Sequence, residues 1–162
     1  MQVNLQETRT GKLLAANIES VEAIDLIRIQ EDSEFAFDWN LESKKKLFKL
    51  SLVENGKTLG LVSILDIPEE FRIEISVLEV AFSQKGRKKV IERIAGCLIA
   101  YCCWLAFENG YLGFVSLIPK TDLIEHYQKK YGFQQYGRQL AVELDQANLL
   151  IQTYLDYGKK PF

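Results

Sequence analysis

The sequence has little of several residue types on which particular functions depend. It contains one histidine, three prolines and three cysteines, and no apolar run approaches the roughly 18 residues that would indicate a membrane-spanning helix. A single histidine excludes histidine-rich zinc sites and leaves any histidine-dependent triad to His126. The odd cysteine count, with Cys102 and Cys103 adjacent in an apolar helical pattern, favours reduced thiols over a disulfide framework. The first residues lack the shape of a signal peptide, so we expect a cytoplasmic protein.

Charge of one sign is also lacking, because 20 basic residues face 22 acidic ones and the formal net charge is −2. A domain with this balance is not an obvious binder of nucleic acids or membrane surfaces, and we expect neither as a partner. The chain has 162 residues, of which 48% are hydrophobic. That length and composition predict one globular domain over 1–162 with a core of its own.

The N-terminal third is ambiguous, whereas a hairpin is clear after it. Leu13–Ile18 and Ile24–Ile29 are short and apolar, and each is compatible with a strand or with part of a helix. Alternating apolar residues at 48–52 are followed by Asn55-Gly56 and by the β-rich segment Leu59–Leu65. An Asn-Gly pair between two such segments predicts a β-hairpin.

The next strand changes phase in its middle. Apolar residues occupy every second position from Phe71 to Val77, and then the apolar set shifts by one position to begin at Leu78. Such a shift would turn the apolar residues to the wrong face unless a β-bulge absorbs it. We predict a bulge near 77–79; the alternative is a strand buried on both faces.

The remaining elements alternate between helix and strand. The spacing predicts a long helix over Lys88–Asn109 and a short strand over Gly113–Ile118. It then predicts a helix over 121–130 with Thr121 as its N-cap, a last strand over Gln139–Leu144 and a final helix over Asp145–Tyr157. This order predicts an α/β (α+β) fold with a mixed, mostly antiparallel central sheet of six to seven strands and helices on both faces.

A basic, glycine-containing loop joins the bulged strand to the long helix. It runs from Ser83 through Gly86 to Arg93. Backbone N–H groups at a helix N-terminus, together with Lys and Arg side chains, make such a junction suitable for a phosphate group. A solvated surface loop and, with less support from the net charge, an RNA contact are the alternatives.

A second segment carries a resemblance to a known family. Tyr127-Gln128-Lys129-Lys130-Tyr131-Gly132-Phe133 resembles the late-helix signature of the GNAT-type N-acetyltransferase superfamily, which is close to Tyr-Glu-Lys-Leu-Gly-Phe. The order of elements over 46–144 is similar to that family's order as well. On this resemblance 46–144 is the recognisable core, 1–45 is a variable N-terminal part, and 145–162 is a C-terminal helix and tail.

The resemblance implies acetyl transfer from acetyl-CoA, as co-substrate and without a metal, to a primary amine by direct attack in a ternary complex. The acceptor would be a small-molecule or protein amine, and a homodimer is compatible with the family. In that family the bulge splays two strands into a V that admits the pantetheine arm. The residues that would contact CoA are Val80, Lys88, Lys89, Arg93, Ile94, Ala95, Gly96, Cys97 and Lys120.

The resemblance also implies the catalytic roles. Tyr127 matches the tyrosine that protonates the departing thiolate, and a phenol with a pKa near ~10 holds its proton at neutral pH. A carboxylate on the bulged strand would take the proton of the attacking ammonium. Glu79, just past the phase shift, is the first choice for this base and Glu74 the second. His126, on a neighbouring helix position, is expected to be a structural or surface residue.

Two positions depart from the family's pyrophosphate loop. Val90 stands where the family has Arg or Gln, and Arg93 replaces its first glycine. Arg93 would either contact a phosphate or block the cradle. The second outcome predicts a catalytically inactive GNAT-like module with a CoA-binding or regulatory role.

Overall fold

A computed structural model describes residues 1–160 of the chain, apart from the Lys88 side chain. Within that range the chain forms one sheet of nine strands. They are β1 (Gln2–Glu7), β2 (Leu13–Ser20), β3 (Lys46–Leu52), β4 (Thr58–Ile67), β5 (Arg72–Val80), β6 (Ile91–Glu92), β7 (Val115–Leu117), β8 (Gln134–Tyr136) and β9 (Gln139–Val142). Four helices accompany them: α1 (Ala23–Glu31), α2 (Ile94–Glu108), α3 (Ile124–Tyr131) and α4 (Leu144–Leu150), the last continued by one π turn (Ile151–Leu155).

The sheet is mostly antiparallel, as the sequence predicts. Its strand order is β6-β1-β2-β3-β4-β5-β7-β9-β8, and β5 with β7 is the parallel pair among the described strands. The sheet has more strands than the six to seven expected. Three strands have no counterpart in the sequence prediction: β1 and the two-residue β6, which pair with each other at one edge of the sheet, and β8, which pairs with β9 at the other.

Helices cover both faces of the sheet. α2 lies in the larger core, which includes Ile73 and Ile75 of β5 and Leu98 of α2. A smaller core on the other face joins α1 and the following loop to the sheet through Ile29, Trp39 and other residues. Trp39 and Phe35 are both buried in this smaller core.

The two ambiguous N-terminal segments resolve differently. Leu13–Ile18 belongs to β2, and Ile24–Ile29 belongs to α1. The hairpin is confirmed, with β3 and β4 joined by the turn that contains Asn55 and Gly56.

The predicted start of the long helix is wrong by six residues, because α2 begins only at Ile94. The Gln84 side chain accepts hydrogen bonds from the N–H groups of Val90 (3.1 Å) and Ile91 (2.9 Å). Ile91 and Glu92 then pair with β1. The contact from Gln84 is local, and the pairing with β1 comes from a distant part of the chain. Together they satisfy backbone groups outside the helix, so 88–93 does not join it.

Thr121 is not the N-cap of the late helix. A 3₁₀ turn occupies Thr121–Leu123, α3 starts at Ile124, and its N-cap is Leu123. The helix ends at Tyr131, one residue after the predicted end at 130, and its C-cap Gly132 adopts the left-handed conformation with φ 72°.

Candidate active site

A bulge in β5 opens the sheet beside β7. In the pairing of β4 with β5, Ile64 faces Ile75 and Ser63 faces Val77, so Ser76 is the extra residue. The predicted bulge is therefore present, and its extra residue, Ser76, comes one position before the predicted range 77–79. After it Leu78 and Val80 pack on the α2 side, while Val77 packs on the α1 side.

The parallel pairing of β5 with β7 ends at the same place. It covers Ile73–Ile75 against Val115–Leu117, and β5 continues alone to Val80. The two strands therefore form a V that closes at Ile75 and opens toward the start of α2.

A cleft of about 760 Å³ lies at the open end of this V. Its volume is in the usual range for small-molecule sites. It is lined by β5, by the loop before α2, by the first turn of α2, by α3 and by one residue of the C-terminal segment: Leu78, Glu79, Val80, Gln84, Lys85, Gly86, Lys89, Ile91, Glu92, Arg93, Ile94, Ala95, Gly96, Leu123, His126, Tyr127, Lys130, Tyr131 and Tyr154.

The first turn of α2 presents backbone donors to the cleft. Arg93 is the N-cap with φ 83°, and the first helical hydrogen bond is that of the Cys97 N–H to the Arg93 carbonyl. Helix geometry thus leaves the N–H groups of Ile94, Ala95 and Gly96 without an intrahelical partner. Such a turn, with the positive end of the helix dipole, favours an anion.

The guanidinium of Arg93 lies against the C-terminal segment. Its central carbon is 3.7 Å from the ring centroid of Tyr157 and 4.9 Å from that of Tyr154, and it donates to the Thr153 carbonyl. Its Nε is buried and has no hydrogen-bond partner among the described residues. The side chain neither fills the cradle nor satisfies all its donors internally, so the site has donor capacity for an anionic ligand.

Positive charge dominates the described walls of the cleft. Lys85, Lys89, Arg93 and Lys130 line it, against the carboxylates of Glu79 and Glu92. Burial, and next the nearby Lys89 charge, lower the pKa of Lys130. Clustered cations of this kind, beside free backbone donors, suit the pyrophosphate of a nucleotide such as CoA.

Tyr127 is on the face of α3 that turns toward the cleft. Its ring is half-buried and lies 5.7 Å from the Phe133 ring and 6.0 Å from the Tyr131 ring, centroid to centroid. Burial raises the pKa of its phenol. The group therefore stays protonated well into alkaline solution, as a proton donor must.

No family model and no curated protein sequence matches the chain, whereas solved structures match its fold. It is similar to the spermidine/spermine N-acetyltransferase SpeG of Vibrio cholerae, determined with manganese ions (14% identity, TM-score 0.58, covering 85% of this chain and 96% of that one). It is similar to the ribosomal-protein-S18-alanine N-acetyltransferase of Escherichia coli (15% identity, TM-score 0.57, covering 80% of this chain and 94% of that one). It is also similar to a GNAT family acetyltransferase of Brucella melitensis in complex with acetyl-CoA, with 14% identity and a TM-score of 0.54 over 79% of this chain and 87% of that one. The chain has the GNAT fold. The fold expected from the sequence resemblance is thereby confirmed.

Most of the predicted CoA-contacting residues lie together in this GNAT fold. Val80, Lys89, Arg93, Ile94, Ala95 and Gly96 line the cleft, whereas Cys97 is buried beneath the first turn of α2 and Lys120 lies outside the cleft. The predicted contact of the Lys88 side chain falls outside the described residues.

The two predicted carboxylates differ in their surroundings. Glu79 is buried and lines the cleft, and it accepts hydrogen bonds from the Ala36 N–H (2.8 Å) and Phe37 N–H (3.3 Å) and from Trp39 Nε1 (2.9 Å). It thereby fixes the loop after α1. Glu74 lies before the bulge, outside the cleft, where it pairs with Arg72 at 3.1 Å.

Several cleft residues escaped sequence reasoning. Tyr154 is the most distant in the chain: its ring covers Gly96 so closely that a Cβ there would lie 2.1 Å from a ring carbon. No local pattern places the C-terminal segment on α2. Lys130 was detectable, since it follows Tyr127 by three positions and so shares its helix face. His126 is exposed, as expected, but it also lines the cleft.

Two kinds of feature are missing from the described part of the molecule. Its His, Cys, Asp and Glu side chains do not form a group that could hold a metal ion. Among residues 1–160, no helix combines the length and the apolar character needed to cross a membrane.

Proposed function

We propose that this chain is an N-acetyltransferase that moves an acetyl group from acetyl-CoA to a primary amine in a ternary complex. One observation carries the proposal. The V between β5 and β7 opens into a cleft where free backbone donors of α2, a cluster of lysines and Tyr127 meet. We treat residues 1–162 as the single domain that performs this function.

Each wall of the cleft would bind a different part of CoA. The N–H groups of Ile94, Ala95 and Gly96 would donate to the pyrophosphate, and Lys89 and Lys130 would neutralise phosphate charge. The buried Nε of Arg93 would gain a partner when an anion binds. Leu78 and Val80 offer the apolar surface along which the pantetheine arm would lie, toward the bulge.

Tyr127 would act as the general acid. When the acetyl group moves to the amine, the sulfur leaves as a thiolate and takes the proton of the phenol. Glu79 remains our first choice for the base, because it is the carboxylate of β5 that lines the cleft. Both its oxygens accept N–H groups, so it would take up a proton only by weakening those bonds, directly or through a water molecule.

The acceptor is proposed as a small-molecule or protein amine. The structural neighbours include acetyltransferases for spermidine and for a ribosomal-protein alanine. Another neighbour, AtaT, forms a complex with acetyl-methionyl-tRNA (TM-score 0.53, 11% identity). For this chain we retain the proposal of no nucleic-acid partner, because the basic cluster is local within a chain of net charge −2. A homodimer is retained as a proposal too.

A second candidate is a GNAT-like module that binds CoA without catalysis. The observation that favours it is Glu79, whose two carboxylate oxygens are already engaged by three N–H donors of the loop after α1. Transfer to any amine in a broad panel would exclude this candidate, while binding without transfer would select it.

Isothermal titration with acetyl-CoA tests the proposal, and α3 supplies a matched pair of variants. Lys130→Ala should weaken binding about tenfold through loss of one charge-assisted contact. Lys129→Ala is the control, because Lys129 pairs with Glu125 on the exposed side of α3. No binding of acetyl-CoA by the wild-type chain at millimolar concentration would overturn the proposal, and equal effects of both variants would remove Lys130 from the site.

A further inference from the structure

The guanidinium of Arg93 is enclosed by residues of the C-terminal segment. Its central carbon lies over the Tyr157 ring, 3.7 Å from the centroid, and is 4.9 Å from the centroid of the Tyr154 ring. The guanidinium also donates to the Thr153 carbonyl, a partner 60 positions away in the sequence. A guanidinium over an aromatic face is attracted by the ring quadrupole, and more strongly where water is excluded. Thr153, Tyr154 and Tyr157 therefore form a cage that sets where this cation lies.

The outer wall of the cage, Tyr157, is held by the N-terminal strands and does not line the cleft. Asn4 Nδ2 on β1 donates to the Tyr157 carbonyl at 3.0 Å. The next residue, Gly158, has φ 71°, and a Cβ there would lie 2.8 Å from a methyl carbon of Leu13 on β2. Glycine permits this close approach at a positive φ. The backbone that carries the Tyr157 ring is therefore fixed by contacts within the protein itself.

The cage holds the guanidinium in contacts that do not involve the carboxylates of the cleft. Arg93 is the N-cap of α2, so its Cα lies at the mouth of the anion-binding turn. Glu79 and Glu92 line the same cleft, and a guanidinium released from the cage would be drawn to these opposite charges. Such an ion pair would take space that a pyrophosphate needs and would cancel positive charge that attracts it. In the cage, Arg93 instead keeps a buried Nε without a partner among the described residues.

We propose that Tyr157 is a positioning residue for acetyl-CoA. Its ring holds the Arg93 guanidinium beside the pyrophosphate site and outside the space that the pyrophosphate fills. The inference rests on the proposed function, because it concerns the same cleft. It adds a residue that lies outside the cleft and acts only through Arg93. Preorganisation of this kind raises affinity, because a side chain whose rotamers are already restricted loses less entropy on binding.

A double-mutant cycle between positions 93 and 157 tests the assignment, with acetyl-CoA affinity measured by isothermal titration. Tyr157→Ala should weaken binding about fivefold, because the released guanidinium must be ordered again or drawn away from a carboxylate. Tyr157→Phe keeps the ring and should bind as the wild type does. Arg93→Gly accepts the φ of 83° without strain and so keeps the start of α2. In that background, Tyr157→Ala should weaken binding by less than about twofold.

Steady-state kinetics separate positioning from a general loss of structure. Tyr157→Ala should raise the KM for acetyl-CoA and leave kcat unchanged, because the reacting groups are untouched. Tyr136→Ala, at an exposed position of β8, is the matched control and should change neither. Equal weakening by Tyr157→Ala in both backgrounds, or a Tyr157→Phe variant as weak as Tyr157→Ala, would overturn the positioning role while the proposed function stood. Failure of the wild-type chain to bind acetyl-CoA would overturn both.

Nuclear magnetic resonance on the full chain follows the guanidinium without relying on catalysis. The Arg93 Nε–H resonance, identified by its loss in Arg93→Gly, should be shifted by the ring currents of the two tyrosines. Tyr157→Ala should return it toward the range of exposed arginines. Saturating acetyl-CoA should move it in the wild-type chain, because the anion gives Nε a partner. A resonance that Tyr157→Ala leaves in place, or that bound acetyl-CoA does not move, would overturn the inference.

Discussion

Tyr127 has both a position in the wall of the cleft and a raised phenol pKa, and the sequence alone predicts neither. Its place in the Tyr–Gly–Phe segment gave the resemblance, and the packing of α3 then put its ring in the wall of the cleft. Burial raises the pKa of its phenol, which keeps the proton on the oxygen at neutral pH. That combination is what a general acid needs.

Tyr127→Phe therefore removes a proton donor while keeping the ring. We expect turnover to fall about 10²-fold, in the usual range for loss of an acid, with unchanged affinity for acetyl-CoA. Because burial raises the pKa of this phenol above its ordinary value of about 10, deprotonation of Tyr127 should slow the wild-type enzyme only above that pH. Steady-state kinetics over pH, with calorimetry for binding, measure both effects. Tyr136→Phe, an exposed position on β8, is the control, and full activity of Tyr127→Phe would refute the role.

Glu79 has a structural task whatever its part in catalysis. Replacing it with Gln removes the charge and puts an amide group where three N–H donors converge. We expect the free energy of unfolding to fall by about 1–3 kcal/mol, measured by urea denaturation against the exposed control Glu125→Gln. If Glu79 is also the base, the acidic limb of the pH–rate profile disappears in the variant. A pH profile that keeps its shape would assign the residue to the loop after α1 alone.

The start of α2 is the element on which the site depends most. The sequence pattern predicts a helix that begins at Lys88, because hydrophobic periodicity depends only on the spacing of neighbouring residues. Two contacts stop it: a side-chain hydrogen bond from the nearby Gln84 and the pairing of Ile91 and Glu92 with the distant strand β1. The helix therefore begins at the edge of the cleft, and its free N–H groups face the ligand site instead of being used in an earlier turn.

Arg93 stands in a backbone conformation that glycine adopts without strain, at φ 83°. Arg93→Gly and Arg93→Ala both lose the stacking on Tyr154 and Tyr157, but only alanine keeps the strain of a Cβ at positive φ. We expect the glycine variant to be more stable than the alanine variant by about 1 kcal/mol, measured by thermal unfolding. Equal stability, or a more stable alanine variant, would mean that the backbone at 93 relaxes when the guanidinium is gone.

At the scale of the whole molecule, the burial of its three cysteines shows that α2 is packed inside the core. Cys97, Cys102 and Cys103 are all buried. Burial raises the pKa of Cys97 and of Cys102 to about 12 and that of Cys103 well above its ordinary value. The expectation of unpaired, core-packed thiols is confirmed for the described structure.

These thiols should not react with a thiol reagent such as DTNB at pH 8, because thiolate is the reactive form and access requires opening of the core. Reaction in the native state should be limited by unfolding, and all three thiols should titrate in denaturant. A thiol that reacts within seconds in native buffer would show that α2 is accessible without global opening.

The sequence by itself determined the elements whose signals are local. The Asn55-Gly56 hairpin, the phase shift in β5 and the glycine end of α3 depend on neighbouring residues, so pattern was enough. Only the tertiary structure decided which residues share the cleft. It put the bulge at Ser76, started α2 at Ile94, brought Tyr154 onto Gly96 and set Lys45 beside the bulge. Each of these results from contacts between residues far apart in the chain, and the free energy of such contacts outweighs local preference.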